Sequence, residues 1–151
     1  MTLESFFYAY LWGMVILGVG IFITLQFITP AYGMTYNNRW GASISSRWGW
    51  LIMETPVFVI MLIIYLNSLL TGVKPFNIVT FIFLLIFQTH YLQRSFIFPA
   101  LMKGQSRMPL SIMFAGIFFN ASNAFIQGGW LFMFAPANAY PISWFWSPQF
   151  I

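Results

Sequence analysis

Long stretches without charge are the feature that most restricts what this chain can fold into. From 5 to 29 and from about 110 to 134 the sequence has no acidic, basic or histidine side chain, and the stretches at about 50–70 and 76–98 have only isolated ones. A helix needs about 20 mostly apolar residues to cross the hydrocarbon core of a bilayer. We therefore predict an all-α integral membrane protein, a single domain of four transmembrane helices followed by an aromatic tail at 135–151.

The composition excludes most other classes of protein. Charged residues make up 5% of the 151 residues, whereas a soluble domain has about 25% and needs them to cover its surface. The few basic residues are scattered, so we expect membrane lipid around the chain and no nucleic-acid partner. The absence of cysteine excludes disulfides and thiolate metal sites, and we predict no metal.

The distribution of basic residues predicts the orientation in the membrane. Arg39 and Arg47 lie in the first predicted loop and Lys103 and Arg107 in the third, whereas the second loop has only Lys74. Loops rich in lysine and arginine stay on the cytoplasmic side. The first and third loops are therefore expected there, with the N-terminus on the non-cytoplasmic side.

Several ionisable residues are expected at one depth. Glu54 lies about 6 Å inside the cytoplasmic end of the second predicted helix, and Tyr91 lies about 10 Å inside the third, at 1.5 Å per residue. His90 and Arg94 share a broad helix face with Tyr91. Because ionisable groups in a span usually face a cavity or a partner, we predict a polar pocket under an apolar roof. Such a pocket suits a lipophilic ligand with one polar end.

The fourth predicted helix has a polar stripe, and both the stripe and the ionisable groups allow a purely structural interpretation. Asn120, Asn123 and Gln127 recur at helical spacing. Amide side chains often only join membrane helices. Glu54 and Arg94 could likewise reach the headgroups or form a structural ion pair.

The same residues permit a specific chemistry. A desolvated glutamic acid can stay protonated and donate a hydrogen bond, as a tyrosine hydroxyl does. Two donors directed at a ketone oxygen, here Glu54 and Tyr91, would stabilise the enolate that forms when hydride adds to a conjugated enone.

Three motifs resemble those of the steroid 5α-reductase family. The segment from His90 to Pro99, HYLQRSFIFP, is similar to the family's HY-x-x-R-(T/S/C)-(F/L)-(I/V) signature. Met53–Pro56, METP, resembles the Q-E-L-P motif, and Asn123–Gly128, NAFIQG, resembles N-G-x-L-Q-G. The three motifs occur in the family's order.

This resemblance implies a seven-helix enzyme of the endoplasmic reticulum or bacterial inner membrane. The family uses NADPH to reduce the C4–C5 double bond of 3-oxo-Δ4 steroids. The resemblance assigns catalysis to Glu54 and Tyr91. Residues expected at the substrate are His90, Arg94, Asn123 and Gln127, and charge suggests Lys103 and Arg107 for the cofactor phosphates.

The length departs from the family pattern, because nothing here resembles the family's second half. We expect the chain to be the amino-terminal half of a longer enzyme, or to need a second chain. Two alternatives stay open: a polyprenol or enoyl-thioester reductase of the same superfamily, and a non-catalytic lipid-binding membrane subunit.

Overall fold

The computed structural model describes residues 2–31 and 33–148 and is mostly helical. The helices are α1 (Leu3–Thr24), α2 (Ser46–Thr71), α3 (Ile78–Leu92), α4 (Phe98–Leu101) and α5 (Leu110–Gly129). Short 3₁₀ turns cover Gly33–Thr35, Asn38–Trp40 and Ile142–Trp146, and π turns cover Gln93–Ile97 and Trp130–Phe134. Within the described residues, three helical segments are long and apolar enough to cross a membrane: Leu3–Thr24, Ser46–Thr71 and Leu110–Phe134.

The helix α1 begins where Thr2 accepts a hydrogen bond from the Ser5 amide, a standard N-terminal cap. It ends at Thr24, five residues before the predicted boundary at Thr29. Most of its surface is exposed, as expected for a helix surrounded by lipid. Its inner face packs on α5, where the rings of Phe7 and Phe125 lie 5.8 Å apart.

The centre of the fold is the contact between α2 and α5. Val57, Met61 and Ala124 are fully buried there. Glycines on α5 allow close approach, since a Cβ on Gly128 would lie 3.0 Å from the Met61 sulfur. Small residues serve this purpose in membrane helix pairs, where apolar burial against lipid gives little attraction.

The third predicted span, 76–98, consists mainly of the α-helix α3 followed by a π turn. Asn77 caps α3 by accepting from the Val79 and Thr80 amides. After α3 the chain continues through the π turn and α4 to Leu101. Pro99 has no amide hydrogen for the regular helical pattern, and the helix is widened just before it. Four membrane spans stay a prediction.

A two-stranded ribbon departs from the all-α prediction. The strands β1 (Ser43–Ser45) and β2 (Arg107–Pro109) pair antiparallel, with Ile44 opposite Met108. Arg107 reinforces the pair through its Nε, which donates to Ser43 Oγ at 2.9 Å. Strands of three residues are too short for a periodic pattern in the sequence. The ribbon joins the chain before α2 to the chain before α5.

The segment after α5 is held against the α2–α3 end of the bundle. Ser68 Oγ donates to the Phe132 carbonyl at 2.5 Å, Lys74 Nζ donates to the Ala135 carbonyl, and Asn77 Nδ2 donates to the Tyr140 carbonyl at 3.1 Å. Burial lowers the pKa of Lys74. The aromatic tail predicted at 135–151 is thus docked as far as it is described, and residues 149–151 lie outside the described part.

Candidate functional site

Glu54 lies on α2 in the interior of the bundle, with 3% of its surface exposed. Its Oε1 accepts a hydrogen bond from Arg94 Nε at 3.0 Å, which is also an ion pair. Its Oε2 accepts from Asn120 Nδ2 at 3.3 Å. The Glu54 carbonyl accepts from Ser95 Oγ at 2.9 Å. Both the carboxylate and the backbone of Glu54 are therefore fixed by neighbouring helices.

Arg94 reaches Glu54 from the π turn that follows α3. Its guanidinium lies over the ring of Trp50, with Cζ 4.7 Å from the ring centroid. A cation over an indole face is attracted by the ring's electron density. The side chain is 44% exposed. Arg94 thus bridges the buried carboxylate and the surface of the bundle.

Tyr91 lies on α3 and is half-buried. Its hydroxyl oxygen accepts a hydrogen bond from Asn123 Nδ2 of α5 at 2.9 Å. The ring packs on Phe87, with centroids 4.6 Å apart. The phenol is therefore held from two sides, by α5 and by its own helix.

Glu54, Tyr91 and Arg94 all line one cavity of about 640 Å³, which we call the Glu54 cavity. Asn120 completes its polar end. The remaining wall is mostly apolar and includes Trp50, Met53, Met108, Ile112 and Phe119. Cavities of this size and character are typical of sites for small lipophilic molecules.

A second, almost entirely apolar cavity of about 600 Å³ lies between α1 and α5, and we call it the α1–α5 groove. It includes Met14, Gly18 and Phe118. It adjoins the Glu54 cavity, because the two have wall residues in common: Ile21, Leu25, Ala115 and Phe119. A molecule with a polar end at Glu54 could therefore extend an apolar body into the groove.

The structure separates the other predicted site residues. His90 is exposed, does not line the Glu54 cavity, and makes an edge-to-face contact with the Tyr91 ring at 5.0 Å. Gln127 lines a different cavity of about 410 Å³ near Tyr8 and Trp130. Lys103 and Arg107 are exposed. Glu54, Tyr91 and Arg94 thus line one cavity, whereas Asn123, also expected at the substrate, contacts the Tyr91 hydroxyl without lining that cavity.

Three residues of the site were not predicted as such. Asn120 had a sequence signal, since it is one helical turn from Asn123 on the same stripe. Trp50 is one of seven tryptophans and was not singled out for the site, and Ser95 gave no signal beyond its place in a motif. Among residues 2–31 and 33–148, no cluster of histidine, aspartate and glutamate could hold a metal ion.

The fold and this cavity define a mostly helical protein with three helices suited to crossing a membrane. An ion pair between buried Glu54 and half-exposed Arg94 lies at the polar end of its apolar pocket. No family model matches the chain. It is similar, however, to proteins named steroid 5-alpha-reductase DET2 in Solanum lycopersicum, at 28% identity over 147 residues, and in Arabidopsis thaliana, at 25% over 149 residues. It is also 26% identical over 135 residues to 3-oxo-5-alpha-steroid 4-dehydrogenase 1 of Bos taurus.

These similarities confirm the resemblance to the steroid 5α-reductase family, an oxidoreductase family, over most of the chain. They cover 95%, 95% and 89% of the chain, but 55%, 55% and 51% of the relatives from tomato, Arabidopsis and cattle. The chain therefore spans about half the length of the curated relatives it matches.

Proposed function

We propose that this chain is the steroid-binding and keto-polarising part of a membrane-embedded, NADPH-dependent steroid 5α-reductase. The observation that supports this most directly is the meeting of Glu54, Arg94 and Tyr91 at one end of an otherwise apolar cavity. A 3-oxo-Δ4 steroid has a matching shape, with one carbonyl at the end of a rigid apolar body. The similarity to steroid reductases of plants and mammals supports the same conclusion.

In the proposed binding mode, the steroid carbonyl lies at the Tyr91 and Glu54 end. The ring system contacts the apolar wall formed by residues such as Trp50, Met108 and Phe119. Hydride addition at C5 converts the enone into an enolate, with the negative charge on the 3-oxygen. A hydrogen-bond donor fixed at that oxygen stabilises the enolate more than the ketone and so lowers the barrier. A proton from water then adds at C4, which restores the ketone and completes the reduction.

NADPH, when bound, would supply the hydride. Arg107 fits a phosphate contact only in part, because its Nε and one terminal nitrogen already donate to Ser43. Lys103 is exposed and carries a compact charge suited to a phosphate. We propose that Lys103 and Arg107 attract the cofactor phosphates electrostatically, on the side of the membrane that the distribution of basic residues predicts to be cytoplasmic. The rest of the cofactor site would come from another segment or a second chain.

The proposal is tested by ligand binding and by turnover. The chain is expressed in membranes lacking reductase activity, alone and with the carboxy-terminal half of a plant relative. Radiolabelled progesterone is the ligand, and NADPH-dependent conversion to the 5α-reduced product is the reaction. Tyr91→Phe is expected to weaken binding about five- to tenfold, the effect of one hydrogen bond of about 1–1.5 kcal/mol.

Tyr8→Phe removes an exposed phenol on α1 and is the matched control, expected to bind as the unaltered chain does. Glu54→Gln is expected to lower any turnover that the combined halves show, because it removes the charge that holds Arg94 at the polar end of the cavity. Equal progesterone binding by the Tyr91→Phe and unaltered chains would contradict the proposed binding mode. Preferential turnover of a polyprenol or an enoyl thioester would favour another reductase of the superfamily. Binding without turnover in every combination would favour a lipid-binding subunit.

A further inference from the structure

The hydrogen bonds around Glu54 limit what this side chain can offer a ligand. Oε1 accepts from Arg94 and Oε2 accepts from Asn120. Both oxygens of the Glu54 side chain therefore already act as acceptors for donors of the protein. In this arrangement Glu54 holds Arg94 and Asn120 in place at the polar end of the cavity.

Tyr91 differs, because a phenol both donates and accepts. Its oxygen accepts from the Asn123 amide nitrogen at 2.9 Å. An amide N–H has no lone pair to receive the phenol proton, so the hydroxyl hydrogen must point away from Asn123. The Tyr91 O–H donates to no acceptor among the described residues, so it is available to a ligand in the cavity.

We infer that Asn123 is a positioning residue that directs the Tyr91 proton into the Glu54 cavity, where Tyr91 donates to the ligand carbonyl. This inference rests on the proposed function. Asn123 does not line the cavity itself and acts only through the phenol oxygen. Fixing the hydroxyl rotor in advance removes the need to reorient it when the enolate forms.

Substitutions at Asn123 distinguish this role from simple packing. Asn123→Asp keeps the shape of the side chain but replaces the donating nitrogen with an accepting oxygen. The Tyr91 proton then turns toward Asp and away from the ligand. Asn123→Ala removes the partner and leaves the hydroxyl free to rotate. If Asn123 directs the Tyr91 proton, Asn123→Asp should weaken the hydrogen bond to the ligand more than Asn123→Ala does. If Asn123 only fills space, Asn123→Ala should have the larger effect.

The test uses progesterone labelled with ¹³C at C3, bound to the purified full chain in lipid nanodiscs. The ¹³C resonance of a carbonyl moves downfield when it accepts a hydrogen bond, and it reports on bound ligand whatever the affinity. The unaltered chain should show a downfield shift that Tyr91→Phe removes. Asn123→Ala should keep part of this shift, and Asn123→Asp should lose it as Tyr91→Phe does. Asn67→Asp, an exposed position on α2, controls for the added acidic group and should keep the full shift.

The outcomes separate the two proposals. Progesterone that binds with a downfield shift in the unaltered chain and keeps it in Asn123→Asp overturns the positioning role and leaves the proposed function intact. The same holds if Asn123→Ala loses more of the shift than Asn123→Asp. A chain that binds no progesterone contradicts the proposed function, and the positioning role falls with it.

Discussion

Arg94 Nε and Glu54 Oε1 lie 3.0 Å apart, although the two residues are separated by 40 positions in the sequence. The contact depends on the π turn at Gln93–Ile97, which carries Arg94 and follows α3 without a break. A π turn shifts the helix to i→i+5 hydrogen bonding and so rotates the residues within it relative to the preceding helix. Such turns are frequent at functional sites, and here one presents a cation to a buried acid.

Loss of Arg94 is therefore expected to destabilise the bundle by leaving Glu54 without its cationic partner. Arg94→Met should lower the free energy of unfolding by about 1.5–3 kcal/mol, the range for a hydrogen bond to a charged group. The half-exposed position of Arg94 keeps the effect below that of a fully buried pair. Denaturation of the detergent-solubilised chain by dodecyl sulfate, followed by tryptophan fluorescence, measures the change.

A double-mutant cycle shows whether this loss comes from the ion pair. Glu54→Gln removes the charge that Arg94 compensates. In that background, Arg94→Met should therefore lower the free energy of unfolding by less than it does in the unaltered chain. Equal costs in the two backgrounds would mean that Arg94 stabilises the fold through Trp50 or through its aliphatic stem alone.

A second prediction concerns Gly116, which lets Met53 pack against α5 at the edge of the Glu54 cavity. A Cβ at this position would lie 2.1 Å from the Met53 sulfur and 2.2 Å from its Cγ. Gly116→Ala therefore forces Met53 into another rotamer. We expect the free energy of unfolding to fall by about 1–3 kcal/mol, as in other overpacked cores. Denaturation by dodecyl sulfate, as for Arg94→Met, measures this change.

In a Met53→Ala background, Gly116→Ala should cost little further stability, because the atoms that clash are already gone. Gly13→Ala on α1 is the control, since nothing lies within 4 Å of a Cβ there. If Gly13→Ala and Gly116→Ala destabilise equally, the close contact with Met53 is not the cause.

The parts of the site that the sequence predicts are those fixed by helix periodicity and depth. Glu54 and Tyr91 were expected in one cavity because antiparallel neighbours place them at similar depth, and both line it. Gln127 lies in a different cavity, although helical spacing puts it on the face of Asn120. Seven residues advance the helix by about 10 Å, and at that level the cavity wall comes from α1 instead of α3.

The other differences between prediction and structure come from local backbone geometry, which the spacing of apolar and polar residues does not reveal. His90 and Arg94 were expected on one face at i and i+4, but the π turn intervenes and only Arg94 lines the Glu54 cavity. The pairing of Ser43–Ser45 with Arg107–Pro109 joins segments about 60 residues apart. Neither segment has enough residues for alternation to identify a strand.

A third prediction concerns the docked segment after α5. Asn77→Asp keeps the oxygen that caps α3 but loses the nitrogen that donates to the Tyr140 carbonyl. We expect amides at 139–147 to exchange hydrogen about five- to tenfold faster, for the loss of about 1–1.5 kcal/mol. Hydrogen exchange with mass spectrometry in detergent measures this. The first turn of α3 is the internal control, because its cap is retained, and faster exchange there as well would indicate general unfolding.

A fourth prediction tests whether the α1–α5 groove holds part of the proposed ligand. Gly18 lines this groove and has nothing within 4 Å of its Cβ position, so a larger side chain can enter the space without a clash. Gly18→Phe should therefore fold normally and weaken progesterone binding at least tenfold by occupying the groove. Gly20, two residues further along α1, also has nothing within 4 Å of its Cβ position but does not line the groove. At about 100° per residue it lies on the opposite side of the helix. Gly20→Phe is therefore the matched control, and its progesterone affinity should stay within twofold of the unaltered chain. Equal affinities for Gly18→Phe and Gly20→Phe would confine the ligand to the Glu54 cavity.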